Sequence, residues 1–293
     1  MNSQALADHL RRHVEKLAAE IGERNFRQPE ALGAAQDYIH NVWTAAGYAV
    51  KAYPYVARGV ESANLEVTCV GAKWPDELIV VGAHYDSVTG SPGADDNASA
   101  VAALLELGRM FRARLPERSV RFVAFTNEEP PLFFSRQQGS RVYAREARRR
   151  GDNIRLMISL EMLGYYRDEP GSQGYPPLFR WFYPDRGDFI ALVSNFRSRA
   201  LMRRFARLFR QVSDFPLQHA ATFAWIPGVA WSDHLSFWMN RYRAFMVTDT
   251  AFFRNPNYHE ASDTAETLDY GRLASLTLGL DQALAALADE DGL

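Results

Sequence analysis

The stretch Leu78-Ile79-Val80-Val81-Gly82-Ala83-His84-Tyr85-Asp86 decides the fold. Its first six residues are apolar toward both faces, which predicts a central strand covered on both sides. The run ends on an imidazole and a carboxylate, and in open α/β sheets ligands bind beyond the carboxyl ends of the strands. Val120 to Thr126 repeats the pattern and runs into Glu128-Glu129, and Leu65 to Val70 is a third short apolar run. Between them, Val101, Leu104, Leu105, Gly108 and Met110-Phe111 mark the apolar side of a helix from about Asn97 to Arg114. Strand, helix, strand is the unit of a wound sheet.

Reading outward, the alternation continues with a helix after Gly139, a strand at Leu156 to Leu160, a strand near Phe189 to Val193 and a helix at Phe196 to Val212. A strand at Ala244 to Val247 and a closing helix after Thr267 complete it. Upstream, Leu6, Leu10, Val14, Leu17 and Ile21 recur at helical spacing, and Pro29 opens a second helix that ends near Gly47. The expected architecture is one three-layer α/β/α domain over residues 1–293, with a mostly parallel mixed sheet and helices on both faces. Residues 1–60 form its helical N-terminal part. Residues 165–188, rich in Gly, Pro, Tyr and Arg and without either period, read as a lid or loop insertion.

The composition bounds the partners. Of the 293 residues 47% are hydrophobic, ample for a core, and a net charge of -2 gives no global attraction for nucleic acid or an anionic membrane. A peptide or small-molecule partner is the default, and the sequence leaves the oligomeric state undefined. Cys69 is the only cysteine, so any metal must be held by imidazole and carboxylate. No segment reaches the ~20 apolar residues needed to span a bilayer. The start of the chain lacks the pattern of a signal peptide, so a cytoplasmic location is expected.

Several polar groups stand where strands end or helices begin. Asp86 can orient His84 through its second ring nitrogen. In Gly93-Ala94-Asp95-Asp96-Asn97-Ala98-Ser99 an N-cap explains one polar residue, while a carboxylate at a rigid helix start can bridge two cations. Adjacent side chains of Glu128-Glu129 diverge, so one can bind metal while the other faces an attacking water. Glu161 ends the run Leu156 to Leu160 in the same topological place. Taken singly, each has a bland reading: a strand-end His, a turn Asp, a surface Glu pair, and for His259 a surface imidazole in a polar loop.

Together the segments resemble the M28 family of zinc peptidases, the co-catalytic two-zinc aminopeptidases. The matching text is Gly82 to Ser87, Pro92 to Ser99, Asn127 to Pro131, Ser159 to Met162, Ser232-Asp233-His234 and His259 to Thr264, in the family's order. The resemblance implies a zinc-exopeptidase-like fold with two zinc ions about 3.5 to 4 Å apart, sharing one hydroxide. It assigns His84 and Glu161 to one ion, Glu129 and His259 to the other, and Asp96 to both. Glu128 becomes the general base and acid, and Asp86 the support of His84. It implies removal of N-terminal residues from peptides. Cobalt or manganese suits the same ligands.

The sequence departs from that family in two places. Many such aminopeptidases have Asp where this chain has Glu161. Some offer a tyrosine hydroxyl to the oxyanion where Val229 stands here, with Tyr165 or Tyr166 as the substitute. Phe133, Phe134, Met162, Trp231 and His234 lie near the motifs and can line an apolar substrate pocket, although aromatics there are more often core. The arginines of 197–210 decorate an amphipathic helix and read as a solvated face. Competing readings are a one-zinc glutaminyl cyclase, a carboxypeptidase or dipeptidase, and an inactive binding protein that keeps the fold.

Overall fold

The computed structural model describes residues 2–293, built on one eight-stranded sheet. The strands are β1 (Lys51–Ala57), β2 (Val60–Cys69), β3 (Trp74–His84), β4 (Arg118–Phe125), β5 (Asn153–Glu161), β6 (Ile190–Ser194), β7 (Leu217–Ala221) and β8 (Ala244–Thr248). Their order across the sheet is β1-β2-β4-β3-β5-β8-β6-β7. The central block β4, β3, β5, β8 is parallel, β1, β2 and β4 pair antiparallel, and β6 lies antiparallel to β8 but parallel to β7. The helices are α1 (Ser3–Val14), α2 (Pro29–Ala45), α3 (Ala100–Phe111), α4 (Gly139–Arg150), α5 (Arg199–Val212), α6 (His234–Met239) and α7 (Tyr270–Asp289).

The unbroken apolar run of β3 has a direct structural cause. Successive side chains of a strand point to opposite faces. Ile79, Val81 and Ala83 enter a core shared with Leu10, Trp43, Leu104, Phe205 and Leu280 of the helices on one face. Leu78 and Val80 enter a second core with Phe125, Tyr143 and Phe237 beneath α4 and α6. From β3 the chain crosses to β4 on one side and then to β5 on the other, so the strand order reverses around β3. That reversal opens a crevice at the carboxyl ends of β3, β4 and β5. No helix among the described residues is long and apolar enough to cross a membrane.

Three elements were not expected. β1 lies inside the segment read as helical, and the Arg58-Gly59 turn that joins it to β2 has φ of 50° and 82°, the left-handed pair of a tight hairpin. Pro54 is tolerated there because β1 is an edge strand. β7, Leu-Gln-His-Ala-Ala, lacks β-branched and aromatic residues, and α6 has six residues, too few to show a period. The 165–188 segment is a loop pinned by an Arg167–Gly187 bridge, with one short turn at Phe179–Trp181.

Two glycines give opposite expectations for stability. Gly33 sits inside α2 with nothing within 4 Å of where a Cβ would be, so Gly33→Ala should raise stability by about 0.5–1 kcal/mol. At Gly139, which opens α4, a Cβ would stand 2.2 Å from the Thr126 carbonyl and 2.5 Å from Asn64 Oδ1. Gly139→Ala should therefore destabilise. Thermal melts of both variants check the pair, and equal midpoints would contradict this packing.

Candidate metal centre

The strand ends bring the expected residues together. His84 closes β3, Glu161 closes β5, and Glu128 and Glu129 follow β4 after Asn127, whose φ of 57° turns the chain back over the sheet. Met162, just past Glu161, and His259 also hold left-handed backbone, at φ 49° and 63°. Such conformations are uncommon for non-glycine residues and concentrate at functional sites. Asp96 arrives on the irregular turn Ala94–Ser99 before α3. Gly93 makes that turn feasible: its φ is 61°, and a Cβ would stand 2.3 Å from the Asp96 carbonyl oxygen.

Asp96 stands between the two imidazoles. Its Oδ1 is 3.4 Å from His84 Nε2, and its Oδ2 is 3.2 Å from His259 Nε2. On the first side Glu161 Oε1 is 3.4 Å from His84 Nε2 and Glu128 Oε2 is 3.8 Å away. On the second, Glu129 Oε2 is 3.3 Å from His259 Nε2. Donor atoms of His84, Asp96 and Glu129 all lie within 4.8 Å of one another. All of these groups are buried except His259, whose side chain is 28% exposed.

The loops carrying the ligands are held through their backbones. Asp86 accepts the amides of Glu128 (3.0 Å) and Glu129 (3.1 Å) on its two oxygens. Asp263 treats Asp95 (2.9 Å) and Asp96 (3.1 Å) in the same way. Asp86 also faces His84: the ring nitrogen Nδ1 of His84 lies 3.2 Å from the Asp86 carbonyl and 3.7 Å from the carboxylate that braces the neighbouring loop. Asn97 donates to the Leu160 carbonyl and accepts from the Met162 amide, bracketing Glu161. Ser232 donates to Glu161 Oε2 at 2.7 Å. Asp95 is a brace, accepting from Gly164, Ser99 and Asn255.

The electrostatics fit a cation site. Burial pushes Glu129 up to about 8, with the Asp96 charge adding to it, and raises Glu128 well above the carboxylate range despite His84. Burial opposes charge on the imidazoles too, but Glu161 and Glu128 hold His84 well above its ordinary value. Asp96 and Glu129 raise His259 to about 10. Burial also pushes Asp96 upward, yet the two facing imidazoles of His259 and His84 outweigh it and keep Asp96 low. Protons on two imidazoles thus balance buried carboxylates, and metal ions would displace them, since ligating imidazole is neutral. Asp96 Oδ1 and Glu129 Oε1 are buried without a hydrogen-bond partner. A donor set of imidazole and carboxylate with orphaned oxygens fits zinc.

Beside the cluster opens an apolar cavity that reaches Glu161 and Tyr258. Met246, Ala191 and Val193 line it from the sheet, and Tyr175, Phe179 and Tyr183 of the 165–188 loop line it from outside. Of the five residues proposed for a pocket, Trp231 lines this cavity. Met162 and His234 are fully buried and absent from its wall, and Phe133 and Phe134 pack on each other outside it. Their closeness to the motifs in sequence does not place them in its wall, because this cavity is made by β6, β7, β8 and the loops around them. Tyr166 donates to the Leu163 carbonyl and Tyr165 accepts from Arg167, so neither hydroxyl serves the cluster. The hydroxyl in its field is that of Tyr258, raised by burial and by Asp96 and Glu129. Its ring stacks on His259 at 3.8 Å.

The sequence profile of peptidase family M28 matches residues 64–282, the span that contains every one of the clustered side chains. The chain belongs to peptidase family M28. It is 39% identical over 285 residues to the uncharacterized protein YfbL of Escherichia coli K12, covering 94% of this chain and 87% of that one. It is 25% identical to the probable aminopeptidase YDR415C of Saccharomyces cerevisiae, covering 92% of this chain but 65% of that protein's length. The fold superposes on BSAP, a zinc aminopeptidase from Bacillus subtilis, with a TM-score of 0.75 at 13% identity, over 96% of this chain and 95% of that one. This M28 chain is thus a metal-dependent peptidase with a mixed α/β/α fold, as its sequence predicted.

His234 of the Ser-Asp-His segment offers a stability test. It donates from Nε2 to the Val229 carbonyl at 2.8 Å, and burial lowers its pKa to about 4, so it is neutral in the fold. A folded pKa below the unfolded value of ~6.5 stabilises above that value, and the contribution is lost as pH falls toward 4. Denaturant melts between pH 7 and 4.5 should show wild type losing more stability than His234→Gln. Parallel pH dependences would refute it.

Proposed function

We propose that this M28 peptidase is a zinc-dependent aminopeptidase that uses two ions and removes N-terminal residues with large apolar side chains. The observation that carries the two-ion reading is the posture of Asp96, one oxygen toward each imidazole. His84, Glu161 and Asp96 Oδ1 would hold one ion, and His259, Glu129 and Asp96 Oδ2 the other. When bound, such a pair polarises the scissile carbonyl and makes water a competent nucleophile at neutral pH.

The chain's own residues do the rest. Glu128 is buried beside Glu161 and Glu129, an environment that favours its protonated form, so a proton taken up from water is held rather than lost. It accepts that proton as the water oxygen attacks the carbonyl carbon. It then gives the proton to the nitrogen as the carbon–nitrogen bond breaks, releasing an amino acid and a shortened peptide. Asp86 keeps Glu128 and Glu129 in register through their amides. The cavity next to Glu161 has walls of Phe179, Tyr183, Met246 and Val193, and suits an apolar side chain on the acyl side of the cleaved bond.

Two experiments follow. Glu128→Gln should lower kcat by roughly 10²–10⁴-fold while leaving zinc bound, as read by metal analysis and aminoacyl chromogenic substrates. Chelation should abolish wild-type turnover and zinc should restore it with two ions per chain; one ion with pyroglutamate as product would replace the peptidase by a cyclase. For specificity, Leu- and Phe-terminated substrates should outrun Ala- and Asp-terminated ones. Ala191→Phe, which fills the cavity floor, should depress kcat/KM for Phe more than for Ala. Equal effects on both would place the side chain elsewhere.

A further inference from the structure

Arg24 lies in the turn between the first two helical segments, and its side chain is completely buried. Its guanidinium meets five backbone carbonyls. Nε donates to Tyr85 O at 2.7 Å and Nη2 to Gly93 O at 2.8 Å. Nη1 donates to Pro92 O at 2.5 Å, Gly22 O at 3.2 Å and Leu17 O at 3.3 Å. Around it the Arg24 amide donates to Ser87 Oγ, the Ser87 amide donates to Arg24 O, and Asn25 Nδ2 donates to Ser87 O.

Three of those acceptors belong to the turns that carry candidate ligands. Tyr85 directly follows His84 and precedes Asp86. Pro92 and Gly93 form the turn that delivers Asp96, whose far side is already fixed by Asp263. Among the described residues no carboxylate pairs with the guanidinium directly, although Asp86, Asp263 and Asp96 lie close enough to favour its charge against the burial that disfavours it. A buried cation satisfied by carbonyls is costly unless every donor is used. Here the donors converge on the two turns whose separation sets the distance from His84 to Asp96.

We propose that Arg24 is a positioning residue for the metal centre: it clamps the His84–Asp86 and Pro92–Asp96 turns to each other and to the N-terminal helices, and so fixes the site before any ion arrives. This rests on the zinc reading above. Lysine cannot replace it, because one ammonium has three donors on a flexible stem and cannot span acceptors that a planar fork reaches together. Removal of partners that orient metal ligands typically weakens binding by roughly 10–100-fold.

The test compares two buried arginines. Arg118 is equally buried but donates to Glu77 and to the carbonyls of Ala288 and Glu290, near the chain's end. Zinc affinity would be measured by competition with a chromophoric chelator, and the melting of the zinc-free chains by calorimetry, for wild type, Arg24→Lys and Arg118→Lys. Both variants should lose stability, but only Arg24→Lys should bind zinc at least ~10-fold more weakly. Equal zinc affinity for Arg24→Lys and wild type overturns the proposal, as does an equal loss in Arg118→Lys. Failure of wild type to bind zinc would instead remove the metallopeptidase reading. If Arg24→Lys does not fold, amide exchange in wild type decides: zinc should slow exchange across residues 22–28, and unchanged exchange there overturns the clamp.

Discussion

Asp96, Glu128, Glu129 and Glu161 are carboxylates buried around two imidazoles, and the burial of so much like charge is the constraint to which the surrounding structure answers. A carboxylate out of water needs a cation or several N–H donors. The site has too few donors for its own ligands and gives its backbone amides to a second rank of acids instead. Asp86 and Asp263 each take two consecutive amides, one pair from the Glu128-Glu129 loop and one from the Asp95-Asp96 turn. The inner oxygens of Asp96 and Glu129 are thereby left free. An arrangement that stiffens the loops while leaving the ligands unsatisfied is what a metal centre requires.

The sheet explains why these groups meet. Strand order reverses at β3, so the ends of β4 and β5 flank it, and Glu128 and Glu161 approach His84 from opposite sides. Hydrophobic burial drives the assembly. Ile79 and Val81 anchor β3 in one core, and Leu78 and Val80 anchor it in the other. A strand fixed on both faces cannot slip register without exposing apolar side chains, so the position of His84 is fixed from beneath.

Much of this was legible from the chain alone, because the central strands carry an unmistakable two-faced apolar pattern and each ends on a chemically loaded residue. The ligand set was readable only as a constellation, since Glu161 and His259 taken singly look like a strand-end acid and a surface imidazole. What escaped was what depends on contacts distant in sequence. Nothing in Gly-Glu-Arg-Asn marks Arg24 as a carbonyl clamp, because three of its acceptors are backbone atoms 61 to 69 residues away. Asp263 was inside a recognised segment, yet its duty toward amides of another loop leaves no local trace. The sequence points to a pocket beside the motifs, whereas the apolar cavity has β7 and the 222–231 segment, with weak or absent periodicity, in its wall.

That mismatch separates the candidate metal site from the cavity in the fold. The candidate metal ligands sit at the ends of β3 and β5 and on the turns beside these central strands, whose residues are buried on both faces and tolerate little change. The cavity uses β6, β7 and β8, where the sheet turns antiparallel and ends, together with a loop held by bonds such as Tyr183 Oη to the His219 carbonyl. Glu161 stands at the boundary, with one oxygen toward His84 and its side chain in the wall of the cavity. Its side chain is one methylene longer than an aspartate, and Ser232 holds its outer oxygen while Ser159 supports Ser232. The extra length is therefore fixed by hydrogen bonds from β5 and from the segment leading to α6. If the cavity takes the substrate side chain as proposed, that side chain meets a carboxylate held by Ser232, which links its position to that of the candidate metal centre.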